Sequence, residues 1–147
     1  MALEYVEAWG HVNVRATHRS TLEVTRETRL SPRGDCIVGV SASKAPSGFS
    51  EDFRRLASRR GSIIVAVLCG PGGCDAVVGR VDPRITLSDD TRMVLRRSSH
   101  VGGETVMVGA DKGAAHLDRK LVESLRDPGA RLQVVLVALD PSCVSTE

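Results

Sequence analysis

Three stretches concentrate the side chains that could do chemistry. "GHVNVRATH" (10–18) carries His11, Asn13, Arg15 and His18, while "GVSASK" (39–44) and "VGADK" (108–112) each end in Ala-x-Lys, at Lys44 and Lys112. Lysine is scarce, at three residues against seventeen arginines, so two lysines in matching contexts carry information. Each stands just before a predicted helix, where an ammonium and a helix N-terminus both favour an anion. A strand-end lysine that snorkels to water is the alternative. His18, Lys44 and Lys112 are the candidate catalytic groups. A histidine, or a lysine whose pKa burial has lowered, can move a proton. Arg15, His11, Asn13, Asp35 and Asp111 are the candidate ligand-binding groups.

The elements that must position these residues follow from periodicity. Residues 11–18 alternate as a strand, with Val12, Val14, Ala16 and His18 on the apolar face and His11, Asn13, Arg15 and Thr17 on the other. The two histidines then point opposite ways and cannot share a metal unless the strand is broken. Val38, Val40, Ala42 and Lys44 share one face of a second strand, and Val106, Val108, Ala110 and Lys112 one face of another. Both lysines therefore continue a core-facing side, and all three candidate catalytic groups are expected to converge.

Two helices follow the lysines. Ser50 can cap the first, with Glu51 and Asp52 in its first turn, Phe53, Leu56 and Ala57 inward, Arg59 and Arg60 at its negative end and Gly61 as its stop. Ala114, Leu117, Leu121 and Leu125 form the stripe of the second, which ends at Pro128-Gly129. The runs "IIVAVL" and "VVLVAL" are short and β-branched and read as buried strands.

These pieces recur. Strand, Ala-x-Lys, helix and strand occur twice, and "GHVNVRATH" aligns with "GRVDPRITL" through Gly10/Gly79, Val12/Val81, Arg15/Arg84 and Thr17/Thr86, which sets Leu87 opposite His18. The expected architecture is α+β. Two β-β-β-α-β halves, about 1–70 and 71–147, are related by a pseudo-twofold and share one core in a single domain. Glycine-led strand entries at "SPRGDCIVGV" and "SHVGGETVMV" favour a closed or half-closed barrel-like sheet carrying the two helices.

Composition limits the function classes. Net charge is +2, so no global field draws nucleic acid, yet residues 11–60 hold nine Arg and one Lys against five acids. Arginine suits phosphate or RNA through its planar fork. Aromatic residues are only 3%, which argues against base-stacking platforms. No apolar run reaches the ~18 residues of a membrane span, and "MALEYVEAWG" lacks the basic start of a signal peptide. Cys36 shares the apolar parity of Val38 and reads as core rather than nucleophile. Cys69 and Cys74 in "CGPGGC" lack zinc-ligand spacing and read as a turn or a disulfide. Cysteines without a framework spacing point to a reducing, cytoplasmic setting. "GPGG" precedes a strand, so it is no phosphate-binding loop. His100 and His116 read as surface histidines. No cofactor or metal site is legible.

At "GHVNVRATHRSTLEVT", "LSPRGDCIVGVSASK" and "VMVGADKGAAHLDRK" the chain resembles an archaeal family of unknown function, domain of unknown function 371, over nearly its whole length. The resemblance implies an archaeal, cytoplasmic protein and brings no activity, substrate or cofactor. In that family the first lysine motif usually reads Ala-Asp-Lys, where this chain has Ser43, so the resemblance implies an Asp-Lys pair only at Asp111-Lys112. The leading expectation is binding, or turnover, of a small anionic, phosphate-bearing ligand near the Ala-x-Lys ends. A non-catalytic RNA- or ribosome-associated module using the arginine excess is the alternative, and a structural homodimer a third. No nucleophile–base pair is legible, so the reaction class stays open.

Overall fold

The computed structural model describes residues 1–143. Its strands are β1 (Ala2–Trp9), β2 (Thr21–Thr25), β3 (Ile37–Gly39), β4 (Ile63–Gly70), β5 (Gly73–Arg80), β6 (Arg92–Arg96), β7 (Thr105–Met107) and β8 (Arg131–Leu139). The helices are α1 (Glu51–Ala57) and α2 (Arg119–Ser124). Along the chain this reads β-β-β-α-β, then β-β-β-α-β again.

The fold is α+β, with two helices and two four-stranded sheets. The first sheet, β1-β8-β4-β5, is antiparallel throughout. The second, β3-β2-β6-β7, pairs β2 with β6 antiparallel and adds β3 and β7 as short parallel edges. The expected barrel is not formed. The sheets meet edge to edge only at single bridges, Trp9 with Val40 and Arg80 with Val108. Just past each bridge a residue takes a positive φ, Ser41 at 54° and Gly109 at 58°. That conformation breaks a ladder, so neither edge strand continues round the corner.

Both helices are capped as their sequences dictate. The Ser50 hydroxyl accepts the Phe53 N–H at 3.3 Å, and Phe53 and Ala57 are buried. Asp118 accepts the N–H groups of Lys120 and Leu121 and buries Leu121 and Val122. α2 is shorter than its apolar stripe. Residues 114–116 form a separate 3-10 turn, and Leu117 returns to extended backbone before Asp118 restarts the helix. The stripe of Ala114, Leu117, Leu121 and Leu125 is still fully inward.

One cluster of buried side chains draws on both halves of the chain. Ile64, Ala66, Leu68, Leu132, Val134 and Leu136 face it from the first sheet. Their neighbours Ile63, Val65, Val67, Val135 and Val137 stay half-buried. The two apolar runs are therefore covered on one face, not on both.

Residues 10–20 are not a strand. The segment turns at Val12-Asn13, and Ala16 has a φ of 50°. Val14 and Ala16 are inward as their alternation suggests, but Val12 is 64% exposed. The same positive φ recurs at Leu87, 51°, and not two residues earlier. The geometric counterpart of Ala16 is thus Leu87, and that of His18 is Asp89. The pairing of His18 with Leu87 is displaced by two positions, because the glycines matched in the sequence do not occupy matching places.

Candidate functional site

The two lysines are latches. Lys44 Nζ lies 2.8 Å from Glu4 Oε1, and Glu4 Oε2 accepts the N–H of Ser50, the cap of α1, at 3.2 Å. Lys112 Nζ lies 2.6 Å from Asp75 Oδ1, and Asp75 Oδ2 accepts the N–H of Asp118, the cap of α2, at 2.8 Å. Each pair ties the start of a helix to an edge strand. Burial pushes the Asp75 carboxyl up. The Lys112 ammonium and the N–H groups of Asp118 and Ala76 outweigh it and hold the carboxyl below the usual range.

The residue before each lysine closes the same strand edge. Ser43 Oγ accepts the Glu7 N–H at 3.0 Å, and Asp111 Oδ1 accepts the Val78 N–H at 2.9 Å. The backbone N–H groups of Ser43 and Asp111 return bonds of 2.7 and 2.9 Å to the carbonyls of Glu7 and Val78. Serine at 43 therefore does the work that aspartate does at 111. β1 and β5 are the opposite edges of their sheet, so Lys44 and Lys112 stand on the order of 15 Å apart, three strand spacings and a short offset. They do not converge with each other. Glu4 and Asp75 escaped the sequence reading, although a signal was present. Glu4 falls on the buried parity of "ALEYVEAW", between Ala2 and Val6, and a carboxylate there needs a partner.

The histidines hold turns. His18 Nδ1 accepts the N–H groups of Ser20 and Thr21 at 3.2 and 3.1 Å. At the matching turn Asp89 Oδ1 accepts those of Thr91 and Arg92, both at 2.8 Å. His11 Nδ1 accepts the Asn13 N–H at 3.0 Å, as Asp82 Oδ1 accepts that of Arg84 at 2.9 Å. An accepting Nδ1 places the ring proton on Nε2. His116 Nδ1 does the same for Gly113, at 3.0 Å. Asp35 contributes its carbonyl, which accepts from the N–H groups of Thr17 and His18.

A further polar cluster lies on the second sheet, where Arg92 reaches Glu23 at 3.6 Å and Glu104 at 3.9 Å, and Arg96 holds Glu104 at 2.6 Å. Burial pushes Glu23 up, only partly offset by Arg92. The Cys36 thiol, 3.8 Å from Glu23, is pushed up to about 11 by burial and then by that carboxylate. It is a poor nucleophile at neutral pH, and it stands half-buried outside the core rather than in it as its parity suggested. Cys69 and Cys74 face each other across the β4–β5 hairpin and form a disulfide, so the reducing setting read from the cysteines does not describe these two.

Arg15 and Asn13 do meet in one place. With Val12, Val14, Pro32 and Arg126 they line an open cleft of about 380 Å³. Arg126 Nε donates to the Val14 carbonyl at 3.3 Å, and Asn13 Nδ2 to that of Leu30 at 2.7 Å. No carboxylate lines this cleft, and among the described residues neither arginine forms an ion pair. A larger cleft of about 550 Å³ beside α1 differs. Its Arg55 faces Asp52, and its Arg59 is bound to Asp140 at 2.8 Å. No three His, Cys, Asp or Glu side chains among the described residues are placed to hold a metal ion.

The sequence model of the family described as "Domain of unknown function (DUF371)" matches residues 6–139. The chain belongs to the DUF371 family. Uncharacterized protein MJ0206 of the archaeon Methanocaldococcus jannaschii is 37% identical to it over 122 residues, which cover 83% of this chain and 90% of the relative. The DUF371 match spans both lysine latches except Glu4, and it contains the whole of the arginine cleft. No described helix of this DUF371 chain is long and apolar enough to cross a membrane.

Proposed function

We propose that the protein binds a small anionic, phosphate-bearing ligand in the cleft of Arg15 and Arg126. One observation carries the reading. Two guanidinium groups distant in sequence reach a single acid-free cleft. Arg126 is oriented by a backbone carbonyl, which fixes its direction without cancelling its charge. Val12, Val14 and Pro32 supply an apolar wall, and Asn13 a further polar group. The lysines are less suited to the task, because Glu4 and Asp75 already neutralise them.

The reading includes an internal duplication. It takes the two β-β-β-α-β runs as copies of one unit, and the paired latches and turn caps support this. Under it, the cleft lies where the copies differ. The counterpart of Asn13 is Arg84, held by Asp82 at 2.9 Å, and that of Arg15 is the uncharged Thr86. Only the first half keeps an unpaired arginine in this loop. No nucleophile lines the cleft, so the reading is of binding, not turnover.

Thermal denaturation with inorganic pyrophosphate and with a nucleoside monophosphate tests it. The melting temperature should rise with at least one of them. Arg15→Ala with Arg126→Ala should remove the rise, while the exposed Lys120→Ala should keep it. No rise with either compound, or a rise retained in the double variant, refutes the reading. Tight RNA binding whose affinity falls steeply with salt would favour the RNA-associated alternative instead.

A further inference from the structure

The outer face of the first sheet is apolar from edge to edge. Both helices pack against its inner face, through Glu4, Asp75 and Gly70. On the outer face the strand register aligns Leu3, Val137, Val65 and Val78 in one row across all four strands. The next row is Tyr5, Val135, Val67 and Ala76. Leu139 and Ile63 extend the patch at one end. Leu3, Tyr5 and Val78 are 56%, 46% and 40% exposed, and the other residues of the two rows are half-buried. An antiparallel sheet with one solvated face ordinarily alternates apolar with polar residues. β4 and β8 do not, and this explains why their runs read as buried on both sides.

We propose that this face is the interface of a homodimer in which two copies pack sheet on sheet. Three observations select a second copy as the occupant. The face spans roughly 19 by 27 Å, on the order of 500 Å² before side-chain relief is counted. The apolar rows within it make up on the order of 400 Å², the size of patch that often marks an interaction site, and the whole face with its polar rim is more than half of the ~800 Å² each partner buries in a stable complex. Its charges are self-complementary. Glu7, which shares a half-exposed ion pair of 3.4 Å with Arg131 of its own chain, and Arg80 stand at diagonally opposite corners. A near-orthogonal crossing, one of the two common sheet packings, sets Glu7 of each copy over Arg80 of the other. The alternative route to pairing, through free strand edges, is blocked at β1 and β5 by Ser43 and Asp111.

Sedimentation equilibrium at micromolar concentration tests this, with circular dichroism as the check on folding. The protein should sediment at twice the chain mass. Val67→Arg with Val135→Arg, at the centre of the face, should sediment as folded monomer. Arg80→Glu, a milder change at an exposed site, should weaken dimerisation at least tenfold, and adding Glu7→Arg should restore it. A wild-type monomer overturns the proposal, as does a dimer indifferent to both the central pair and Arg80→Glu. If the central variant does not fold, the charge reversal and its rescue decide alone.

Discussion

At residue scale, His18 and Asp89 show one task met by two chemistries. A ring nitrogen and a carboxylate oxygen each take two backbone N–H groups at matching turns. What matters at position 18 is therefore an acceptor. His18→Asp should leave stability within about 0.5 kcal/mol of wild type, whereas His18→Leu should cost about 1–2 kcal/mol, the price of stranding backbone donors. Urea unfolding midpoints distinguish the two. The sequence showed that this segment carries inward Val14 and Ala16, but not how it turns. Non-glycine residues with positive φ, such as Ala16 and Leu87, leave no local signature. Without those turns His18 was matched with Leu87 instead of Asp89.

At element scale, each helix start is held to an edge strand through a carboxylate that serves both an ammonium and a capping residue's N–H. Glu4→Ala should cost about 2 kcal/mol, less than the 3–5 kcal/mol of a fully buried pair because Lys44 is partly exposed. Glu4→Gln should cost less, since it can still accept from Ser50. Chemical denaturation measures both. The helices, the Ala-x-Lys ends and the β4 and β8 strands were legible, because each rests on local periodicity and caps. The sheet partners were not. Whether two runs of strands close into a barrel depends on what the chain does at Ser41 and Gly109, beyond the reach of periodicity. The carboxylate partners of the lysines were hidden for a related reason, since Glu4 and Asp75 are about forty residues away from them and only the fold brings them close.

At the scale of the whole molecule, the charge balance fixes the response to acid. Asp75, Asp89 and Glu104 are all held below their ordinary ranges. At Asp89 the Arg92 N–H is the main cause; at Glu104 burial opposes, and the backbone and Arg96 prevail. The unfolded chain binds their protons more tightly, so the stability they add is present above their unfolded values, near pH 4, and is lost as pH falls through their lower folded values. Glu23, pushed up by burial, acts in the opposite sense, and its contribution is lost as pH rises through its raised value. Unfolding midpoints should therefore drop below about pH 4. The same balance separates fold from function. The lysines of the Ala-x-Lys motifs are committed to acids and His11, His18 and His116 to backbone N–H groups, while Arg15 and Arg126 are left facing a cleft. Isothermal titration with inorganic pyrophosphate compares the two sets directly. Arg15→Ala with Arg126→Ala should weaken binding by roughly 100-fold or more, the scale of two charge-assisted bonds, while folded Lys112→Ala should bind as wild type does. Binding that survives the arginine pair and is lost with Lys112 would contradict the account.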